Sequence, residues 1–496
     1  MLKIKKELKT IRKYDNIKLQ KRNDNIDRKA ECCRKKKTLT GGKNMKRKFF
    51  STLFCVAMAS TSLLGYGSTV FAESADDSVS SYADIEKREY KDVKLQMLDR
   101  FDTTAEDGKW LHNTIDSFMQ KYPGIEIETI DITTESDYLD QEAVLMSDES
   151  SMPNIFQGNG GSTIANYIKA GNMLDLTGYY DADPEWKNSF NNVGWDATDF
   201  SFFGCDGTYG VPYQEFIISL YYNEDLLDRC NIDPQSIKSW DDLMNACATL
   251  KENGIQPFEI GEKANWRFGH LHTILNYKTY GTDVAYKLGN DEMTYDSDEQ
   301  KAVYQMIIDA ANEGYLGTNL LGTDDSQESE IFNAGNVAFL FNGSWYCSSV
   351  QDPSNTLLQE QKIHALPFPY VNEEFAGEDM GGAGDCFYVT DSGDDDENAA
   401  AVLFLKYLMQ QENIDKLVEK YSTLTAVDPS QPTDNYLMVE VQDIMKDTTS
   451  AKGDIENYDQ GQYMLDIVRN ALQGIPTGYT ADEVAQTIID TEKEYE

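Results

Sequence analysis

The chain has 496 residues, with 44 Lys and Arg against 85 Asp and Glu and a formal net charge of −41. The balance is uneven: residues 1–72 hold 19 basic and 5 acidic residues, which leaves 25 against 80 in residues 73–496, a net charge of −55. A surface that negative repels nucleic acid and anionic lipid and suits a protein that must stay soluble outside a cell.

In chain order, residues 1–44 are lysine-rich and non-periodic, and Gly41-Gly42 lie just before Met45. They read as an upstream extension, with translation starting at Met45. Residues 45–72 read as a secretory signal peptide: a basic Lys46-Arg47-Lys48, an apolar stretch from Leu53 to Leu64, and Val70-Phe71-Ala72 before cleavage. The apolar stretch is too short to span a bilayer. Cys55, flanked by Thr52 and Phe54, is a poor lipidation site. The expected location is therefore extracellular, secreted and associated with the cell surface, with the anchor open. Residues 73–91 are polar and read as a flexible tether.

The remaining stretch is longer than one core usually supports, so two lobes are expected. "VKLQML" at 93–98 reads as a buried strand. Trp110, Leu111, Ile115, Phe118 and Met119 then recur at helical spacing until Pro123-Gly124. "IEIETIDI" at 125–132 alternates as a second strand, and "NIFQGN" at 154–159 supplies a third strand tip. Strand, helix, strand of this length is a parallel βαβ unit, so the first lobe should hold an open parallel sheet. Ligands bind beyond the C-terminal strand ends of such sheets, where Asp99, Arg100, Gln157 and Asn159 fall.

Further on, "FIISLYYN" is strand-like, and Ser239 and Thr480 are N-cap residues for helices. Helices are also expected over 297–314, 396–411 and 461–474, and the acidic "DSGDDDEN" at 391–398 reads as a solvated turn. After the signal the chain has five cysteines (Cys205, Cys230, Cys247, Cys347 and Cys386) and no C-x-x-C, which argues against a disulfide framework or a zinc site and for small buried hydrophobes.

No nucleophile elbow, H-E-x-x-H or phosphate-binding loop is present, so no enzymatic activity, metal or cofactor is expected. His270 and His272 would share a face only on a strand; on a helix they point apart, and a surface role is expected for them. The chain is rich in aromatics, with 29 Tyr, 21 Phe and 6 Trp. Trp110 and Trp240 sit inside helical repeats and belong in a core. Tyr213 follows Val-Pro, Trp266 lies in "GEKANWRFG", and Trp345 follows Asn342-Gly343-Ser344, at element ends where a ring is harder to bury. Aromatic plates with nearby Asn, Gln, Asp and Arg suit a pyranose, whose C–H face is flat and whose rim is hydroxyl.

Four stretches in this order resemble the sugar-binding proteins of ABC importers, extracellular solute-binding protein family 1. They are "VKLQMLDRF" with "FMQKYPGIEIE"; "YGVPYQEFIISLYYNEDLL" through "SWDDLMNACATLKENGIQPF"; "FNAGNVAFLFNGSW"; and "ALPFP", "MGGAGDCFYVT" and "ENAAAVLFLKYLM". The resemblance implies a two-lobed α/β fold of the periplasmic-binding-protein kind (type II). Each lobe would be a sheet flanked by helices, with residues 92–214 plus 386–424 in one lobe and 217–380 plus 428–496 in the other. Three hinge crossings would fall near Tyr213–Phe216, Gly381–Cys386 and Ser422–Ala426. By the same resemblance Trp345 stacks on sugar, Tyr213 faces the cleft, Gly381, Gly382 and Asp385 reach the ligand, and Trp266 is a cleft aromatic. The implied role is a monomeric carbohydrate receptor, with an oligosaccharide expected, that serves a membrane permease and a separate ATPase. Family members from single-membrane bacteria usually carry a lipobox cysteine, which this sequence lacks. A secreted glycoside hydrolase, a structural surface protein and a receptor for a non-sugar solute are the competing readings.

Overall fold

The computed structural model describes residue 82, residues 84–461 and residues 463–495. The upstream extension and the signal peptide lie outside the described residues. Residues 84–91 do not behave as a free tether. Ile85 and Tyr90 are buried in the first core, and Arg88 pairs with Asp396 at 2.9 Å. Two apolar side chains in a polar stretch suffice to dock it.

The first sheet holds β1 (Val93–Asp99), β2 (Ile125–Asp131), β3 (Ile155–Gly158), β4 (Val211–Pro212) and β9 (Cys386–Val389), in the order β2-β1-β3-β9-β4. Val93, Leu95 and Met97 alternate with Lys94 and Gln96, so one face of β1 is apolar and buried. β1 pairs in parallel with β2 from Val93↔Ile125 to Asp99↔Asp131, and with β3. The helix Glu106–Lys121 crosses between β1 and β2 and buries Trp110, Leu111, Ile115 and Phe118. The sheet is not purely parallel, however. β9, from a distant part of the chain, pairs antiparallel with both β3 and β4, so it alone runs against the other four strands.

The second sheet is built on one long strand, β5 (Gln214–Asn223). Its first residues pair with β8 (Glu378–Ala383) and β10 (Leu424–Thr425). The rest pairs with β6 (Phe339–Gly343) and β7 (Ile363–Pro367), and β11 (Ser450–Lys452) flanks β8. The three segments expected to link the lobes lie side by side here, with Glu215 opposite both Leu424 and Ala383. Ser239 and Thr480 each close a capping box, on the helices Trp240–Glu252 and Ala481–Glu492. Asp394 caps the helix Asp395–Leu408, so half of the acidic stretch is a helix start, where carboxylates oppose the helix dipole, and not a solvated turn. Of the five cysteines, all free, Cys205, Cys247, Cys347 and Cys386 are buried.

The helix Trp266–Tyr280 is buried on nearly every side, which overturns the surface role expected of His270 and His272. Its polar residues are paired rather than solvated. Arg267 forms a two-bond pair with Glu328 at 2.8 Å, Lys278 meets Asp379, and His272 sits 3.0 Å from Glu456 and 2.9 Å from Gln300. The partners come from residues far off in sequence, so no local period announces this burial.

Candidate functional site: an aromatic-walled cleft

A cleft of about 390 Å³ is lined by residues of both sheets. One wall is aromatic. Trp345 stands in the first turn after β6, half-buried, with its ring 5.9 Å from Phe216, 6.3 Å from Trp266 and 6.2 Å from His270. A Cβ on Gly343 would lie 2.2 Å from Cζ3 of Trp345. Residue 343 is therefore glycine so that the indole can fold back over the strand end. Trp266 opens its helix, and its plane lies 64° from that of Trp345. The two indoles form an apolar corner.

The opposite wall is polar and held in advance. The Arg100 guanidinium bonds the Asp385 carboxylate and donates to Asn159 Oδ1 at 2.8 Å. Gln157 accepts the Arg100 backbone N–H at 3.0 Å and donates to Asp385 Oδ2 at 2.7 Å. These bonds fix the remaining donor and acceptor directions before any ligand arrives. Tyr213 forms part of the floor, fully buried and stacked on Trp110 at 5.9 Å.

A chain of alternating charge crosses the cleft. Glu135 lies 4.0 Å from Arg100 and 3.8 Å from Arg469; Arg469 donates to Asp454 at 2.8 Å, and His270 Nε2 lies 3.5 Å from Asp454. Burial, only partly opposed by Asp454, pushes the His270 imidazole down to about 3, so it is neutral in ordinary buffers. Burial alone would raise Asp454, but the Arg469 guanidinium, which also donates to it, outweighs burial and holds this carboxyl below its usual range. Among the described residues, His270 Nδ1 and Glu215 Oε1, both buried at the cleft, have no hydrogen-bond partner. Such atoms are costly unless a ligand or water completes them.

Of the residues singled out in the sequence, Trp345, Trp266, Tyr213, Arg100, Gln157, Asn159 and Asp385 line this cleft. Asp99 does not. It shares the buried face of Val93, Leu95 and Met97, is fully enclosed, and accepts the Phe101 N–H at 3.0 Å. Burial pushes its carboxyl up to about 8. Gly381 and Gly382 also lie off the cleft, which Ala383, Gly384 and Asp385 line instead. A Cβ at Gly381 would meet Phe216 O at 2.6 Å, so this glycine serves close strand packing. Sequence reasoning missed Glu135, His270, Asp454, Asn457 and Arg469. Only His270 carried a local signal, one helical turn after Trp266. Among the described residues no cluster of His, Cys, Asp or Glu is placed to hold a metal ion, and no helix is long and apolar enough to cross a membrane.

Two sheets flanked by helices, with an aromatic and polar cleft lined from both, define a mixed α/β small-molecule binding protein of the periplasmic-binding kind. The sequence model of the bacterial extracellular solute-binding proteins matches residues 102–415, and the chain belongs to that family. An uncharacterized ABC transporter extracellular-binding protein of Pyrococcus horikoshii is 27% identical over 194 residues, covering 38% of this chain and 42% of its own. An arabinooligosaccharide-binding protein of Halalkalibacterium halodurans is 26% identical over 243 residues, covering 46% and 49%. These matches span about half the length of each curated relative. A chitin oligosaccharide binding protein of known structure superposes with a TM-score of 0.71 at 20% identity, over 81% of this chain and 98% of its own.

Proposed function

We propose that the protein is a non-catalytic extracellular receptor that binds a carbohydrate in this cleft and delivers it to an ABC permease driven by a separate ATPase. The observation that carries the reading is the half-open indole corner of Trp345 and Trp266 facing the hydrogen-bonded cluster of Arg100, Gln157, Asn159 and Asp385. A pyranose offers a flat apolar face to the first and hydroxyls to the second. Family membership and the arabinooligosaccharide-binding relative support it. In this reading residues of both sheets hold the sugar and the halves close about a hinge, the motion established for periplasmic binding proteins. The sugar drives closure only by its differential affinity for the closed form.

A thermal-shift screen against mono- and oligosaccharides tests this, because a ligand that binds only the folded state raises Tm. At least one sugar is expected to raise it and to be recovered intact. The absence of any shift would contradict the carbohydrate reading, and release of shorter sugars would turn it into a hydrolase.

A further inference from the structure

The charges that line the cleft do not balance. Five carboxyl groups belong to it, those of Asp107, Glu135, Glu215, Asp385 and Asp454, against the two guanidiniums of Arg100 and Arg469. His270 adds no charge, because burial keeps its imidazole neutral. Arg100 is engaged by Asp385 and Glu135, and Arg469 by Asp454 and Glu135. Glu215 and Asp107 are left over, and neither forms an ion pair among the described residues. Glu215 is only 8% exposed, and its Oε1 has no hydrogen-bond partner among the described residues. Its neighbours are the Asn191 amide and the like charge of Asp428. Lys446 lines a neighbouring cavity with Glu215 but pairs with Asp443 at 2.6 Å. Asp107 accepts the Gly108 N–H at 2.8 Å, and Asp102 and Glu106 repel its charge.

We propose that the ligand carries an ammonium group that docks on Glu215 in the field of Asp107, so that the protein is specific for an amino sugar in its cationic form. A hydroxyl would complete Glu215 Oε1 but leave two carboxylates uncompensated in a partly desolvated cleft. An ammonium does both: it donates charge-assisted hydrogen bonds and supplies the missing positive charge. An N-acetylated sugar lacks that charge, and a uronic acid adds a repelled one, so both are discriminated against. The net charge of −55 on residues 73–496 also draws a cation toward the cleft. Burial pushes the Glu215 carboxyl up to about 7. Without ligand it is mostly protonated at pH 6, and an ammonium beside it drives that proton off to the buffer. The proposal rests on the carbohydrate reading above.

The test is calorimetry at about pH 6, where the amine of an amino sugar is charged, on the full protein and on Glu215→Gln. The ligands are glucosamine, galactosamine and the glucosamine dimer and trimer, each beside its hydroxyl and N-acetylated analogues, with glucuronate and galacturonate. At least one amino sugar is expected to bind at least about tenfold more tightly than both of its analogues, with the uronates weakest. Repeating the titration in buffers of different ionisation enthalpy should show about one proton released per amino sugar bound to the unaltered protein, and none for Glu215→Gln. The substitution should also shrink the preference for the amine to about twofold or less, with Tm of the free protein confirming folding. A hydroxyl or N-acetylated sugar that binds at least as tightly as its amine overturns the proposal while leaving the receptor reading intact. So does a preference for the amine that survives in Glu215→Gln, or binding without proton release. Binding by none of these sugars overturns the proposal too, and the thermal-shift screen then decides the carbohydrate reading separately.

Discussion

Truncating Trp345 to alanine perturbs the site most simply, because the indole is half-buried before any ligand arrives. Its inner side rests on Phe216, Trp266 and His270, and its remaining surface faces the cleft. A sugar ring stacked on that surface would cover roughly 60–120 Å² of apolar area, which at about 25 cal/mol per Å² is about 1.5–3 kcal/mol. That corresponds to a dissociation constant raised roughly 10- to 150-fold. Calorimetry on Trp345→Ala, with the sugar giving the largest thermal shift on the unaltered protein, measures it directly. Trp345→Phe should keep part of the affinity, since a smaller ring still stacks. The Tm of ligand-free Trp345→Ala checks that any loss is not unfolding. An unchanged dissociation constant, for a sugar shown to bind the unaltered protein, would refute the stacking argument.

Other expectations follow from particular contacts. Gly343→Ala should weaken the same sugar while preserving the fold, because the new methyl meets the Trp345 ring at 2.2 Å and moves it; equal calorimetry for variant and parent would contradict this. Burial pushes the Glu215 carboxyl up to about 7 from 4.5. Its folded value is raised, so its contribution to stability is complete below about pH 4.5 and is lost as pH rises through about 7. Glu215→Gln should then match the parent in denaturation at pH 4 and exceed it at pH 8, by up to about 3 kcal/mol. A pH-independent difference would contradict that. Arg267→Ala leaves Glu328 buried without its two bonds and should cost about 3–5 kcal/mol in urea unfolding; a loss near zero would show that the pair is not closed in solution.

Much of the frame is legible in the sequence because it is local. The alternation in "VKLQML" marks β1, and Ser239 and Thr480 mark helix starts through their own capping boxes. Trp345 could be found because a glycine two residues earlier, at a strand end, leaves a ring with nowhere to hide. What is not legible is set by long-range partners. Arg469 reaches the cleft only because Gly269, some two hundred residues earlier, leaves room for its side chain, a Cβ there lying 2.8 Å from Arg469 Cγ. Asp99 fails for a different reason. The strand-end rule says where a residue lies along a strand, but the pleat decides which face it takes, and Asp99 takes the buried one. Gly381 and Gly382 stop short of the cleft, whose lining begins one residue later at Ala383, and at Gly381 the strand packs so closely on β5 that a Cβ would meet Phe216 O at 2.6 Å.

The account rests on one molecule touching both sheets at once, and amide hydrogen exchange with and without bound sugar reads this most directly. Protection is predicted in Gln157–Gly161 from the first sheet's side and in Ser344–Tyr346 and Gly453–Asn457 from the second's. Protection confined to one of these sides, or lying away from all three segments, would contradict it.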